Sequence, residues 1–246
     1  MENNSYRSTD INNIQDAQIV NSTTLLRSVF SWMAVALIMT TIASLLFAFV
    51  PELLRLLITQ NEAGGFSMSI FGWVTMFAPL GFVLLMGFGF NKFSYPVLIA
   101  LFLAYAAING ISFSFIFLVY NIGSIVNVFL SSVALFGVMA IAGYTTKTDL
   151  TKMGSLLTIG LIGIVIAMVI NFFTKSSTMD YIISILGVII FTGLTAYDVQ
   201  KIKNLSNEDD GSTGFKKLSI MGALTLYLDF INIFLFLLRL FGGRKS

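Results

Sequence analysis

Two aspartates lie within apolar surroundings. Asp229 lies in Leu226-Tyr227-Leu228-Asp229-Phe230, apolar on both sides, and Asp198 lies in Thr195-Ala196-Tyr197-Asp198-Val199-Gln200-Lys201, near the polar end of another apolar run. An ionisable side chain at membrane depth costs about 2.5–3.5 kcal/mol on insertion scales, and by default it serves a partner or a water-filled path. If the two carboxyls approach each other, burial and mutual repulsion both disfavour the doubly charged state, so the pair holds a proton between its members. That is the chemistry of a pH-sensitive latch. When ionised, the same oxygens suit calcium better than soft metals, although two carboxylates fall short of a six-to-eight-ligand site. Thr225 and Asn232, four residues before and three after Asp229, are placed to add oxygens; Asn109 and Asn171 are more distant candidates. Lys201, three residues after Asp198, is a candidate basic partner.

The elements carrying these acids belong in a bilayer. The chain has 246 residues, is 57% hydrophobic and 11% charged, and has a mean hydropathy of +0.89. Soluble domains carry roughly 25% charged residues, and so few polar groups could not cover one large soluble core. The basic residues stand singly or in pairs, so no phosphate-binding face forms and no nucleic-acid partner is expected. With no Cys and no His, thiolate nucleophiles, imidazole bases and ordinary zinc or haem sites are excluded. We expect no catalytic residues and no cofactor other than a transported or bound calcium ion.

A hydrocarbon core of about 30 Å takes about 20 apolar residues in a helix. Seven such spans are expected, at 28–50, 71–91, 96–120, 123–145, 154–174, 180–202 and 218–241, giving an all-α membrane protein. A polar N-terminal segment (1–27), without the pattern of a cleaved signal peptide, precedes this seven-helix domain (28–241), and a short basic tail (242–246) follows it. Lys and Arg retained on one side mark the cytoplasm. Arg7, Arg27, Lys92, Lys147, Lys152, Lys201, Lys203, Lys216 and Lys217 fall on the N-terminal side, whereas Arg55, Lys175, Arg239, Arg244 and Lys245 fall opposite. The N-terminus is therefore expected inside and the C-terminus outside; the basic tail favours the alternative of six spans with a re-entrant last segment.

Several residues have plainer readings. Pro79 inside the second span predicts a kink. Ala106 with Gly110, and Gly160 with Gly163, predict close helix packing. Asp149 is expected to cap a helix, Arg27 and Trp32 to anchor the interface, and Glu208 to Asp210 to form a solvated loop. One difficulty is depth. At 1.5 Å per residue, Asp198 lies about 8 Å from Lys203 and Asp229 about 18 Å from Lys217, so pairing needs tilt or a later start to the last span.

These segments resemble the Bax inhibitor-1 family, the transmembrane Bax inhibitor motif proteins, in its bacterial YccA-like branch. The resemblance runs through Leu26-Arg27 to Trp32-Met33, Phe77-Ala78-Pro79-Leu80, Asn109-Gly110 with Ile116-Phe117-Leu118-Val119-Tyr120, Gly143-Tyr144-Thr145-Thr146-Lys147-Thr148-Asp149-Leu150, Leu194 to Ile202, and Leu226 to Asn232. It implies seven helices with the last surrounded by six, a bacterial inner membrane, and a pH-sensitive calcium leak governed by two aspartates, which map onto Asp198 and Asp229. Many relatives carry Arg near the end of span two as an aspartate partner. Here Gly89 takes that place, with Lys92 as a substitute.

Three functions are in competition. The first is a calcium leak channel or cation exchanger that handles calcium and protons. The second is a membrane-embedded regulator, either a membrane protease modulator or a cell-death and stress suppressor. The third, an intramembrane aspartyl protease, is disfavoured because Leu226-Tyr227-Leu228-Asp229 lacks the Gly-x-Gly-Asp of those enzymes.

Overall fold

A computed structural model describes residues 2–60, 66–205 and 213–245, with side chains described for 22–59, 67–205 and 214–245. The chain is helical almost throughout: α1 (Glu2–Phe49), α2 (Pro51–Leu57), α3 (Ile70–Gly89), α4 (Tyr95–Phe113), α5 (Ile116–Val119), α6 (Ile122–Thr145), α7 (Thr151–Thr174), α8 (Ser177–Leu205) and α9 (Thr213–Phe241). A short antiparallel hairpin, β1 (Ile58–Gln60) and β2 (Phe66–Met68), pairs Thr59 with Ser67 between α2 and α3.

Seven helical stretches are long and apolar enough to cross a bilayer, and each of the seven expected spans overlaps one of them. Apart from the start of the first, at Ser22 instead of 28, every bound agrees within four residues: the second ends at Gly89 instead of 91, and the sixth starts at Ser177 instead of 180. The last is 28 residues, Gly214–Phe241, about 42 Å at helical rise, so its length alone suffices to cross. The helix of α1 begins at Glu2, within the polar segment. The acidic run Glu208 to Asp210 lies outside the described residues.

Burial sorts the helices. In the last span 72% of the most apolar window is buried, against 6% in the fifth, so α9 is core and α7 presents nearly its whole circumference outward. Large apolar side chains on that circumference, such as Leu156 and Ile159, are exposed, which is stable only against lipid.

The residues cluster into two compact units. One comprises Met1–Trp32 with Ala134–Ile233, the other Met33–Val133 with Phe234–Ser246. In the first, α7 and α8 run antiparallel along a seam of small residues. A Cβ on Gly154 would stand 2.5 Å from the Tyr197 ring, one on Gly193 would stand 2.6 Å from Leu157 Cδ1, and one on Gly160 would stand 2.9 Å from Ile190 Cδ1. Glycine lets the helices close to that distance. Gly163 has open space beside it and takes no part, a correction to the expected pair.

In the second unit, Thr40 donates its hydroxyl to the Ala106 carbonyl at 2.9 Å, and a Cβ on Gly110 would stand 2.8 Å from the Ala43 Cβ; the Ala106–Gly110 pair thus packs α4 onto α1. The Ser69 side chain caps α3 by accepting the Gly72 N–H at 3.0 Å. That helix continues through Pro79 to Gly89 as one element. The basic tail is tied down: Asn121 N–H donates to the Gly243 carbonyl and Lys245 N–H to the Val119 carbonyl, both at 2.9 Å.

Candidate functional site

Both aspartates fall in the first unit, Asp198 on α8 and Asp229 on α9. Asp229 is 4% exposed and Asp198 is half-buried. The two carboxyls are side-chain neighbours: Asp229 feels the charge of Asp198, and Lys201 adds its positive charge at Asp198. Ionised carboxylates only accept hydrogen bonds, so a bond between the two exists only while one carries a proton. Asp229 Oδ2 is buried with no hydrogen-bond partner among the described residues. An orphaned carboxyl oxygen at that depth is costly unless water, a proton or a cation completes it.

The helix register removes the depth difficulty. Gly222 on α9 sits against Ile202 on α8, where an added Cβ would meet Ile202 Cδ1 at 3.2 Å. From that contact Asp198 lies about 6 Å along α8 and Asp229 about 10 Å along α9 in the same direction, a mismatch of about one helical turn. Side chains span that. The mismatch grew to about 10 Å from the lysines only because Lys203 and Lys217 do not stand level.

Neighbouring packing fixes the two helices. The Phe230 ring, next to Asp229, meets Phe136 of α6 edge to face with centroids 5.6 Å apart, and the backbone of Ala196 touches Gly143 of α6. Beyond the pair, Gln200 is buried and ties a loop to α8: its Oε1 accepts the Leu150 N–H and its Nε2 donates to the Thr148 carbonyl, both at 2.8 Å. In that loop Asp149 Oδ1 accepts the Thr151 hydroxyl at 2.6 Å and the Thr151 N–H at 2.9 Å. The first helical residue of α7 is thereby satisfied, from one position before the N-cap, which is Leu150 and not the expected Asp149. These bonds, the hydroxyl first, hold the Asp149 carboxyl below its ordinary value.

The remaining expected site residues scatter. The Thr225 hydroxyl donates to the Met221 carbonyl at 3.1 Å and Asn232 Nδ2 to the Leu228 carbonyl at 2.8 Å, so each is turned back on its own helix with its oxygen lone pairs left over. Asn109 is buried in the other unit and donates to Tyr105 Oη at 3.4 Å. Asn171 ends α7 by accepting the Ser176 N–H at 3.0 Å and the Thr174 hydroxyl at 3.2 Å. Lys92 is exposed on the other unit. Lys201 leans over the Tyr197 ring, 5.8 Å from its centroid. Arg27 is exposed and Trp32 half-buried near the start of the first span.

Among the described residues no group of three or more His, Cys, Asp or Glu could hold a metal ion. Two residues escaped the sequence reading. Gln200 stood in the quoted motif without a role. Thr192, whose buried hydroxyl has no partner among the described residues, carries no signal in the sequence at all.

Comparison with known proteins agrees with this architecture. A family described as "Inhibitor of apoptosis-promoting Bax1" matches residues 22–246. The inner membrane protein YbhL of Escherichia coli is 40% identical over 224 residues, covering 90% of this chain and 92% of that one. A protein of Borreliella burgdorferi is 40% identical over 233 residues, covering 93% and 96%, and one of Rickettsia prowazekii is 40% identical over 222 residues, covering 89% of each. With seven spans, a buried last helix and a match across nearly its whole length, the chain is an integral membrane protein that belongs to the Bax inhibitor-1 family.

Proposed function

We propose that the protein is a pH-sensitive calcium leak channel or cation exchanger controlled by Asp198 and Asp229. The observation that carries this reading is the orphaned Oδ2 of Asp229, buried beside a second carboxyl. With one shared proton the pair is closed on itself. Loss of that proton leaves two carboxylates in a poorly hydrated place, where repulsion separates them and a hard divalent cation is the favoured counter-charge. Asp198 and Asp229 are then both proton sensor and transient ligands, with Thr225 and Asn232 oxygens along the same helix. Lys201 tempers the charge on Asp198. The lysine and arginine distribution supports a cytoplasmic N-terminus and an external C-terminus, and the inner-membrane relative supports a bacterial inner membrane.

The test is calcium flux into proteoliposomes between about pH 6 and pH 8, comparing the native chain with Asp198→Asn and Asp229→Asn. Native flux whose pH dependence vanishes in either variant is the expected result. Absence of flux at every pH from correctly folded native protein would overturn it.

A second reading is favoured by the family's description as an inhibitor of an apoptosis-promoting protein: a membrane-embedded regulator acting on a protease or another membrane protein. It predicts that the biological effect survives loss of both aspartates.

A further inference from the structure

We propose that a groove between the start of α7 and the last turns of α8 binds the headgroup phosphate of an anionic phospholipid. The groove holds about 200 Å³ and is lined by Thr151, Tyr197, Gln200, Lys201, Asn204 and Leu205. Its walls are set by bonds already made. Gln200 spends its amide on the Thr148–Leu150 loop, and Thr151 gives both its hydroxyl and its N–H to Asp149.

Lys201 is the cation among the lining residues. Lys201 Nζ stands over the Tyr197 ring, and neither it nor the Asn204 amide has a hydrogen-bond or ion-pair partner among the described residues. Lys203, two residues on, contrasts with them: its Nζ is 2.8 Å from the Tyr144 carbonyl oxygen, to which it donates. An ammonium and an amide N–H lining one groove favour an oxyanion. Lys147 and Lys152 are exposed at the same end but do not line the groove. Among the described residues the acids there are Asp149, whose Oδ1 Thr151 engages, and Asp198, which is half-buried.

The oxyanion belongs to a lipid because of where the groove opens. It lies at the ends of two membrane-spanning helices, and from it the exposed apolar side chains Met153, Leu156 and Ile159 lead down α7. A phosphate held by Lys201 leaves the acyl chains against that face, at the depth where anionic headgroups and basic side chains meet. The inference does not depend on ion flux.

The experiment is native mass spectrometry of the full-length protein from micelles containing equal phosphatidylglycerol and phosphatidylcholine. The native chain retains phosphatidylglycerol in preference, and Lys201→Gln with Asn204→Leu lowers that retention about fivefold while phosphatidylcholine is unchanged. Lys201→Arg keeps it, as does Lys147→Gln, which removes a lysine outside the groove. Both altered residues are exposed, and far-UV circular dichroism checks that the helices persist. Equal loss in Lys147→Gln would reduce the effect to diffuse surface charge and overturn the site, as would no preference in the native chain. Displacement by millimolar inorganic phosphate would make it a site for soluble anions and overturn the lipid assignment. Retention that emerges only in a Glu208→Gln, Asp209→Asn, Asp210→Asn variant would assign the groove to the chain's own acidic loop.

Discussion

Gly143 and Ala196 meet backbone to backbone: a Cβ added to Gly143 would stand 2.8 Å from both the Ala196 Cα and its carbonyl carbon. This contact brings α6 against α8 two residues before Asp198. Because the obstacle is main chain, it cannot rotate away.

Gly143→Ala is therefore expected to cost about 1–3 kcal/mol through overpacking. Gly163→Ala is the control, since nothing lies within 4 Å of a Cβ there. Thermal unfolding in detergent should separate the two, with a lowered midpoint for Gly143→Ala alone; equal midpoints would remove Gly143 from the frame that positions Asp198.

Gln200→Leu leaves the Leu150 N–H and the Thr148 carbonyl without their side-chain partner. Each hydrogen bond is worth about 0.5–1.5 kcal/mol net, and water reaches the exposed Thr148 more easily than the half-buried Leu150. Hydrogen–deuterium exchange at the Leu150 amide should accelerate about tenfold, with exchange in the middle of α7 unchanged.

Asp149 gives a pH dependence with a definite sign. Its folded carboxyl lies below the ordinary value because Thr151 bonds to the charged form, so the order it confers is fully present above the unfolded value. That order is lost as pH falls through the folded value. Exchange at the Thr151 amide, corrected for intrinsic rates, should be protected at neutral pH and lose protection in acid. Asp149→Ala should lack that protection throughout.

At Gly89 a side chain is excluded by Phe93: a Cβ there would lie 2.7 Å from its Cδ2 and 2.8 Å from its Cζ. Gly89→Arg alone should destabilise, and Phe93→Ala should relieve part of that loss. A double-mutant cycle on unfolding midpoints should return a coupling of about 0.5–3 kcal/mol. Additive effects would mean that the ring simply swings aside.

Much of the fold was legible in the residues because the length of an apolar run is a local property, matched directly against bilayer thickness. The helix start beside Asp149 was legible because it too is local, since the partner of Asp149 is two residues away, although the N-cap itself is Leu150. Gly163 was misread because small-residue spacing says that a helix can approach another, not which side of the glycine the neighbour occupies.

The sequence by itself determined that this protein spans a membrane in seven helices, that two acids lie within those spans, and which family it joins. Each follows from composition, run length or contiguous motifs. Tertiary structure decided that Asp198 and Asp229 meet, that Asp229 Oδ2 is left without a partner, that Gln200 fastens a loop fifty residues away, and that Thr225 and Asn232 turn back on their own helix. Most of these depend on the register and rotation of one helix against another. That register is set by small residues packing to contact across long stretches of chain, as Gly222 does on Ile202 and Gly143 on Ala196, and no local pattern of residue types encodes it.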